Sequence, residues 1–71
     1  MKVDYEVVVM DEAGNQPDKT FKSLKPAKAW AQEQSDEYDD GQAFAYVMHM
    51  FKNEKGEKEI ADVEIIYGKN Y

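Results

Sequence analysis

A chain of 71 residues with a net charge of −6 and no cysteine is a single small domain, without a disulfide framework or a thiolate zinc site. All nine cations are lysine. The arginine forks that read phosphates and guanines are therefore missing, and with the acidic balance this argues against direct nucleic-acid binding. The longest apolar stretch, Ala43–Phe51, is too short to span a bilayer, and acids arrive too early in the N-terminus for a signal peptide, so a soluble, cytoplasmic protein is expected.

Val3, Tyr5, Val7 and Val9 alternate, predicting a strand over 3–10. DEAGNQPD follows with Gly14-Asn15 and Pro17 as turn residues, and 19–23 reads as a short returning strand, so the chain opens with a hairpin. Ser23 is placed to cap a helix, and Pro26 is tolerated in its first turn. Leu24, Ala27, Trp30, Ala31, Gln34 and Tyr38 recur at helical spacing, predicting a helix from Leu24 to Tyr38 that Gly41 closes. Residues 43–52 and 57–67 are two further strands joined by NEKG. The fold class expected is α+β: a ββαββ chain with a four-stranded, mainly antiparallel sheet and one helix packed on one face, in one domain over 1–71.

The last hairpin admits two registers. Setting Lys52 opposite Glu57 pairs Phe44 with Ile65, Tyr46 with Val63 and Met48 with Ala61. A slip of one residue sets Lys52 against Lys58 and Met48 against Asp62, through a type I turn with a glycine bulge. Patterning and charge favour the first. The helix is then expected to cover Val3, Tyr5, Val7, Val9, Phe44, Tyr46, Met48, Ala61, Val63 and Ile65, beneath Trp30. The face left open holds Val8, Met10, Val47, Phe51, Ile60 and Ile66, among Asp4, Glu6, His49, Asp62 and Glu64. An uncovered antiparallel face is normally polar. This one is half apolar, which makes those six residues a candidate oligomer face and a homodimer its simplest use.

The densest charge lies at the predicted helix end, where Glu33, Asp36, Glu37, Asp39 and Asp40 surround Tyr38 with no lysine between them. A calcium loop started at Asp36 fails, because positions 3 and 12 fall on Tyr38 and Val47. On a helix running to Asp40, Glu33, Asp36, Glu37 and Asp40 would form one stripe. Both mutual repulsion and the helix dipole disfavour acids there. A solvated face is the plain account; a ridge that meets a basic surface on another protein is the functional one. Tyr38, ringed by carboxylates, suits contact with lysine or arginine.

Other chemistry has few materials. Met48, His49 and Met50 suit copper by type, but a regular strand points the methionines one way and the histidine the other, so no metal site is expected. With one histidine, no cysteine and isolated glycines, neither a nucleophilic triad nor a phosphate loop is expected, and the chain reads as a non-enzyme without a cofactor. The acidic helix end SDEYDDG, on a short ββαββ chain without cysteine or arginine, resembles small acidic phage-encoded inhibitors of host machinery, of the anti-CRISPR and DNA-mimic types. The resemblance covers layout, length and charge placement. It implies a non-enzymatic inhibitor that occludes the basic, nucleic-acid-binding surface of a host defence protein through Glu33, Asp36, Glu37, Tyr38, Asp39 and Asp40. The alternative is a homo-oligomeric structural or accessory domain of phage or bacterial origin whose acids serve solubility.

Overall fold

The computed structural model describes residues 1–9 and 17–71. Strand β1 spans Lys2–Val9 and β2 Lys19–Phe21; helix α1 runs Leu24–Glu37; β3 spans Phe44–Lys52 and β4 Lys58–Tyr67. All strand pairs are antiparallel and the order across the sheet is β2-β1-β3-β4. The expected ββαββ architecture is the one observed. Met10 and the predicted Gly14-Asn15 turn lie outside the described residues. The hairpin they belong to is secured on its near side, where Asp18 N–H donates to the Val7 carbonyl (2.8 Å) and Val9 N–H to the Asp18 carboxylate (2.7 Å).

Helix α1 lies close on the sheet because its inner residues are small. Ala27, Ala31 and Ser35 recur every fourth residue, so one stripe of the helix presents only methyl and hydroxymethyl groups. They are fully buried against Val7, Ala45 and Val47, which are also fully buried. Trp30 does not crown the centre of the sheet; it packs to the side over β2, its ring 5.9 Å from that of Phe21. Ser23 holds the N-cap position with extended backbone, but its hydroxyl makes no capping bond.

The helix ends at Glu37, one residue before the predicted limit. Tyr38 leaves the helical region at ψ 131°, and its N–H closes on the Gln34 carbonyl. Asp39 and Asp40 then take left-handed conformations, φ 53° and 58°, which short side chains able to bond locally tolerate best. The four-acid helical stripe therefore does not form, since Asp40 lies beyond a reversal of backbone hand.

The last hairpin turns in the slipped form. Lys52 pairs with Lys58, Asn53 N–H donates to the Glu57 carbonyl (3.0 Å), and Gly56 supplies the left-handed corner at φ 80°. The Asn53 side chain outweighs the charge argument: its Oδ1 accepts from Lys55 and Glu57 N–H, and its Nδ2 reaches the Glu57 and Glu59 carboxylates. A bulge of one residue at Ala61 then restores apolar pairing, setting Met48 against Val63, Tyr46 against Ile65 and Phe44 against Tyr67. Apolar still meets apolar, two residues further along β4 than the sequence predicts.

The assignment of faces is reversed for β3 and β4. Tyr5, Val7 and Val9 of β1 face the helix as expected, but their partners on β3 are His49, Val47 and Ala45. Val47 is fully buried under α1 and Ile66 packs against the same core, so neither belongs to the open face. Alternation carries Phe51 to the helix side as well, where it pairs with Lys2 and Glu59. Of the six residues proposed for the open face, Val8 and Ile60 are there.

Candidate protein-interaction face

Phe44, Tyr46, Met48, Met50, Ile60, Val63, Ile65 and Tyr67 share the side of the sheet that the helix leaves uncovered, together with Val8, Asp4 and Glu6 of β1. Val8, Ile60, Asp4 and Glu6 are on the side that the sequence-based assignment gave them; Phe44, Tyr46, Met48, Val63 and Ile65 were assigned to the core, and Met50 and Tyr67 to neither face. Their surface is most apolar on β4, the long edge strand, where Ile60, Val63, Ile65 and Tyr67 are 54%, 42%, 44% and 49% exposed. One signal could have found them. From Ala43 to Met48 both parities are apolar, but one is small (Ala43, Ala45, Val47) and the other large (Phe44, Tyr46, Met48), and the small set is the one buried with Ala27 and Ala31.

An aromatic cluster closes one end of the face. The Phe44 ring stands edge-on to Tyr46 at 5.4 Å and to Tyr71 at 5.9 Å, and Tyr71 lies 4.5 Å from Tyr67. Tyr71 reaches this position because the chain after β4 folds back across the end of α1. Gly68 N–H donates to the Ala43 carbonyl (2.8 Å) and Asn70 N–H to that of Gly41 (2.8 Å). Lys69 N–H donates to the Asp36 carboxylate (2.8 Å), which also accepts from the Gln32 amide (2.9 Å).

The opposite end carries charge in balance. The Lys58 ammonium bridges Asp4 and Glu6, each at 2.9 Å, and these hydrogen bonds, Asp4 first, raise its pKa. Asp4 is buried, and among the described residues its Oδ1 has no partner. Lys52, paired with Lys58, shares this side.

The acid-rich helix end behaves differently from a single ridge. Glu33, Glu37, Asp39 and Asp40 are exposed and make no ion pair among the described residues. Tyr38 is 46% exposed. Asp36 is occupied, holding the C-terminal segment to the helix. The sequence brings these residues together in space, but it divides them between a helix, a left-handed turn and a structural contact.

His49 was expected on the solvent or interface side and is instead beneath the helix. Its ring sits edge-on to Tyr5 at 5.0 Å, and its Nε2 lies 2.6 Å from a Glu64 oxygen. The other Glu64 oxygen pairs with the Lys28 ammonium at 3.0 Å. Hydrogen bonds from Lys28, then His49, lower the Glu64 pKa. Edge strand β4 is thereby tied to helix α1. Among the described residues no three acid or histidine side chains converge as metal ligands, and no helix is long and apolar enough to cross a membrane. Comparison with known proteins finds no matching family model, no matching curated protein and no matching solved structure.

Proposed function

We propose that this chain is a non-enzymatic protein-binding module whose binding surface is the uncovered face of its sheet. The observation that carries the reading is the line of large, half-exposed apolar side chains down edge strand β4, from Ile60 to Tyr67. Exposed apolar area of this kind costs roughly 25 cal/mol per Å² relative to burial, so the face gains free energy when another protein covers it. The histidine is engaged by Glu64 beneath the helix, and the Ser35 hydroxyl donates to the Ile66 carbonyl.

A second reading, occlusion of a basic nucleic-acid-binding surface on a host defence protein, is favoured by the exposed acids Glu33, Glu37, Asp39 and Asp40. It is the weaker of the two, because Asp36 already serves the fold and the backbone changes hand after Tyr38. Site-specific photo-cross-linking in cells of the source organism separates them. A benzophenone side chain at position 65 is expected to give a discrete protein adduct that Tyr46→Glu abolishes, while the same group at position 37 gives none. Adducts from position 37 alone transfer the function to the acidic end, and no adduct from either position overturns both.

A further inference from the structure

We infer that the occupant of the open face is a second copy of this chain, packed sheet against sheet about a two-fold axis with Tyr46, Met48, Val63 and Ile65 nearest the axis. This rests on the reading of that face as the binding surface.

Charge is the first argument. At −6 per chain, two copies repel unless the acids lie away from the contact. Among the described residues they do. Asp4 and Glu6 are bridged on this face by Lys58, with Lys52 beside it, and the part of the same side between the Met48–Val63 and Phe44–Tyr67 pairs carries no charge. Among the described residues the unbalanced acids lie on α1, in the left-handed turn and in the hairpin loop, while Glu59, Asp62 and Glu64 pair with Phe51, His49 and Val47 on the helix side. An oppositely charged partner has little to attract it to this surface, whereas an identical, locally neutral face meets no opposition.

The edge of β4 supplies the second argument. Joining two β4 edges antiparallel through their middle, with faces kept, sets Asp62 against Asp62 or Glu64, or Glu64 against itself. The bulge at Ala61 also interrupts the ladder that such pairing extends. The edge is protected against self-pairing, and the face is not.

Area is the third. Strands β1, β3 and β4 make a face of ~30 by ~14 Å, to which the three residues of β2 add a short margin, or about 480 Å² per copy. A pair then buries about 1,000 Å², the small end for a specific interface, which suits a weak, reversible dimer. Stacked sheets ~10 Å apart give a helix–sheet–sheet–helix sandwich.

Sedimentation velocity from about 10 µM to about 1 mM tests this on the whole chain. The expected result is a monomer–dimer equilibrium that raised salt does not weaken, since screening reduces only the repulsion between distant acids. Tyr46→Glu and Ile65→Lys are expected to weaken the dimer at least tenfold, and Glu37→Lys to leave it intact. Because a face variant can lose its fold for other reasons, isotope-filtered NOEs on a mixed labelled and unlabelled sample of the unaltered chain provide the second measurement. Intermolecular contacts among Tyr46, Met48, Val63 and Ile65 support the inference. A monomer at the highest concentration, or a dimer whose contacts lie elsewhere, overturns it. If the chain is monomeric and position 65 still cross-links to a different protein in cells, the second copy is wrong and the binding face stands; if both fail, both are wrong.

Discussion

Gly68→Ala is expected to be the most damaging of the glycine-to-alanine substitutions among the described residues. At Gly68 the backbone leaves β4 and crosses the end of α1, and a Cβ there would overlap the carbonyl oxygens of Ser35 and Gly41. Both are backbone atoms, so no rotamer change makes room. Overpacking that side chains can partly absorb costs ~1–3 kcal/mol. Here relief requires lifting the C-terminal segment from the helix, which forfeits the Gly68, Lys69 and Asn70 N–H bonds at ~1 kcal/mol each. A loss of about 3 kcal/mol is expected from a chain whose total stability is ~4–10 kcal/mol. In thermal unfolding followed by circular dichroism, this corresponds to a fall in Tm of ~12–24 °C. Gly56→Ala is the control: its φ, unlike that of Gly68, is left-handed, at 80°, but the space around it is open, so only the conformational cost of about 1 kcal/mol remains. The reasoning is refuted if Gly68→Ala melts no lower than Gly56→Ala. The same substitution should release Tyr71 from Phe44 and Tyr67, visible as loss of their ring-current shifts.

Ala31→Leu forces three carbons into the fully buried contact between α1 and the sheet and should cost ~2–3 kcal/mol by urea titration; a neutral outcome would show that the helix does not sit so close. Asp36→Ala removes the acceptor for Lys69 N–H and the Gln32 amide, for a loss of ~1–2 kcal/mol, and amide exchange at Lys69 should rise with it. Glu37→Lys places a cation at the helix C-terminus where an exposed acid now stands, and a gain of ~0.3–1 kcal/mol in the same titration is expected; a loss would mean that the acid has a structural role. Glu64→Gln tests the tie between β4 and α1 through pH. A carboxyl whose pKa is lowered by folding stabilises above its unfolded value, and that contribution disappears as pH falls through the folded value. The variant should therefore melt below the wild type at neutral pH, with the gap closing as pH drops through and below the carboxylate range; a gap independent of pH would contradict the ion pairs. Lys58 has the opposite sign: its raised pKa contributes stability below the ordinary lysine value, lost only as pH rises through the folded value.

Much of the architecture is legible from local signals. The alternation of Val3, Tyr5 and Val7 with Asp4 and Glu6 marked both the existence and the orientation of β1, and the spacing of Ala27 and Ala31 located the inner face of the helix. The helix end was less so. Whether Asp39 and Asp40 continue a helix or adopt left-handed backbone depends on where the Asn70 side chain and the Lys69 N–H arrive from the far end of the chain, and no local propensity encodes that. The candidate site was misplaced for a related reason. Hydropathy from Ala43 to Phe51 is nearly uniform, so a two-residue period distinguishes the faces without saying which one the helix covers.

The residues alone determine the type and order of the four strands and the helix, because each is signalled within a few positions by turn chemistry and apolar periodicity. They also determine that the chain is acidic and that both parities of β3 are fit for burial. Which parity is buried was decided in three dimensions. The central stripe of helix α1, Ala27, Ala31 and Ser35, offers only methyl and hydroxymethyl groups, so close contact admits Ala45 and Val47 and leaves Phe44, Tyr46 and Met48 outside. The Asn53 turn and the Ala61 bulge then align the large residues of β4 with them. Side-chain volume matched across a gap, rather than hydrophobicity counted along a strand, placed the aromatic face in contact with solvent.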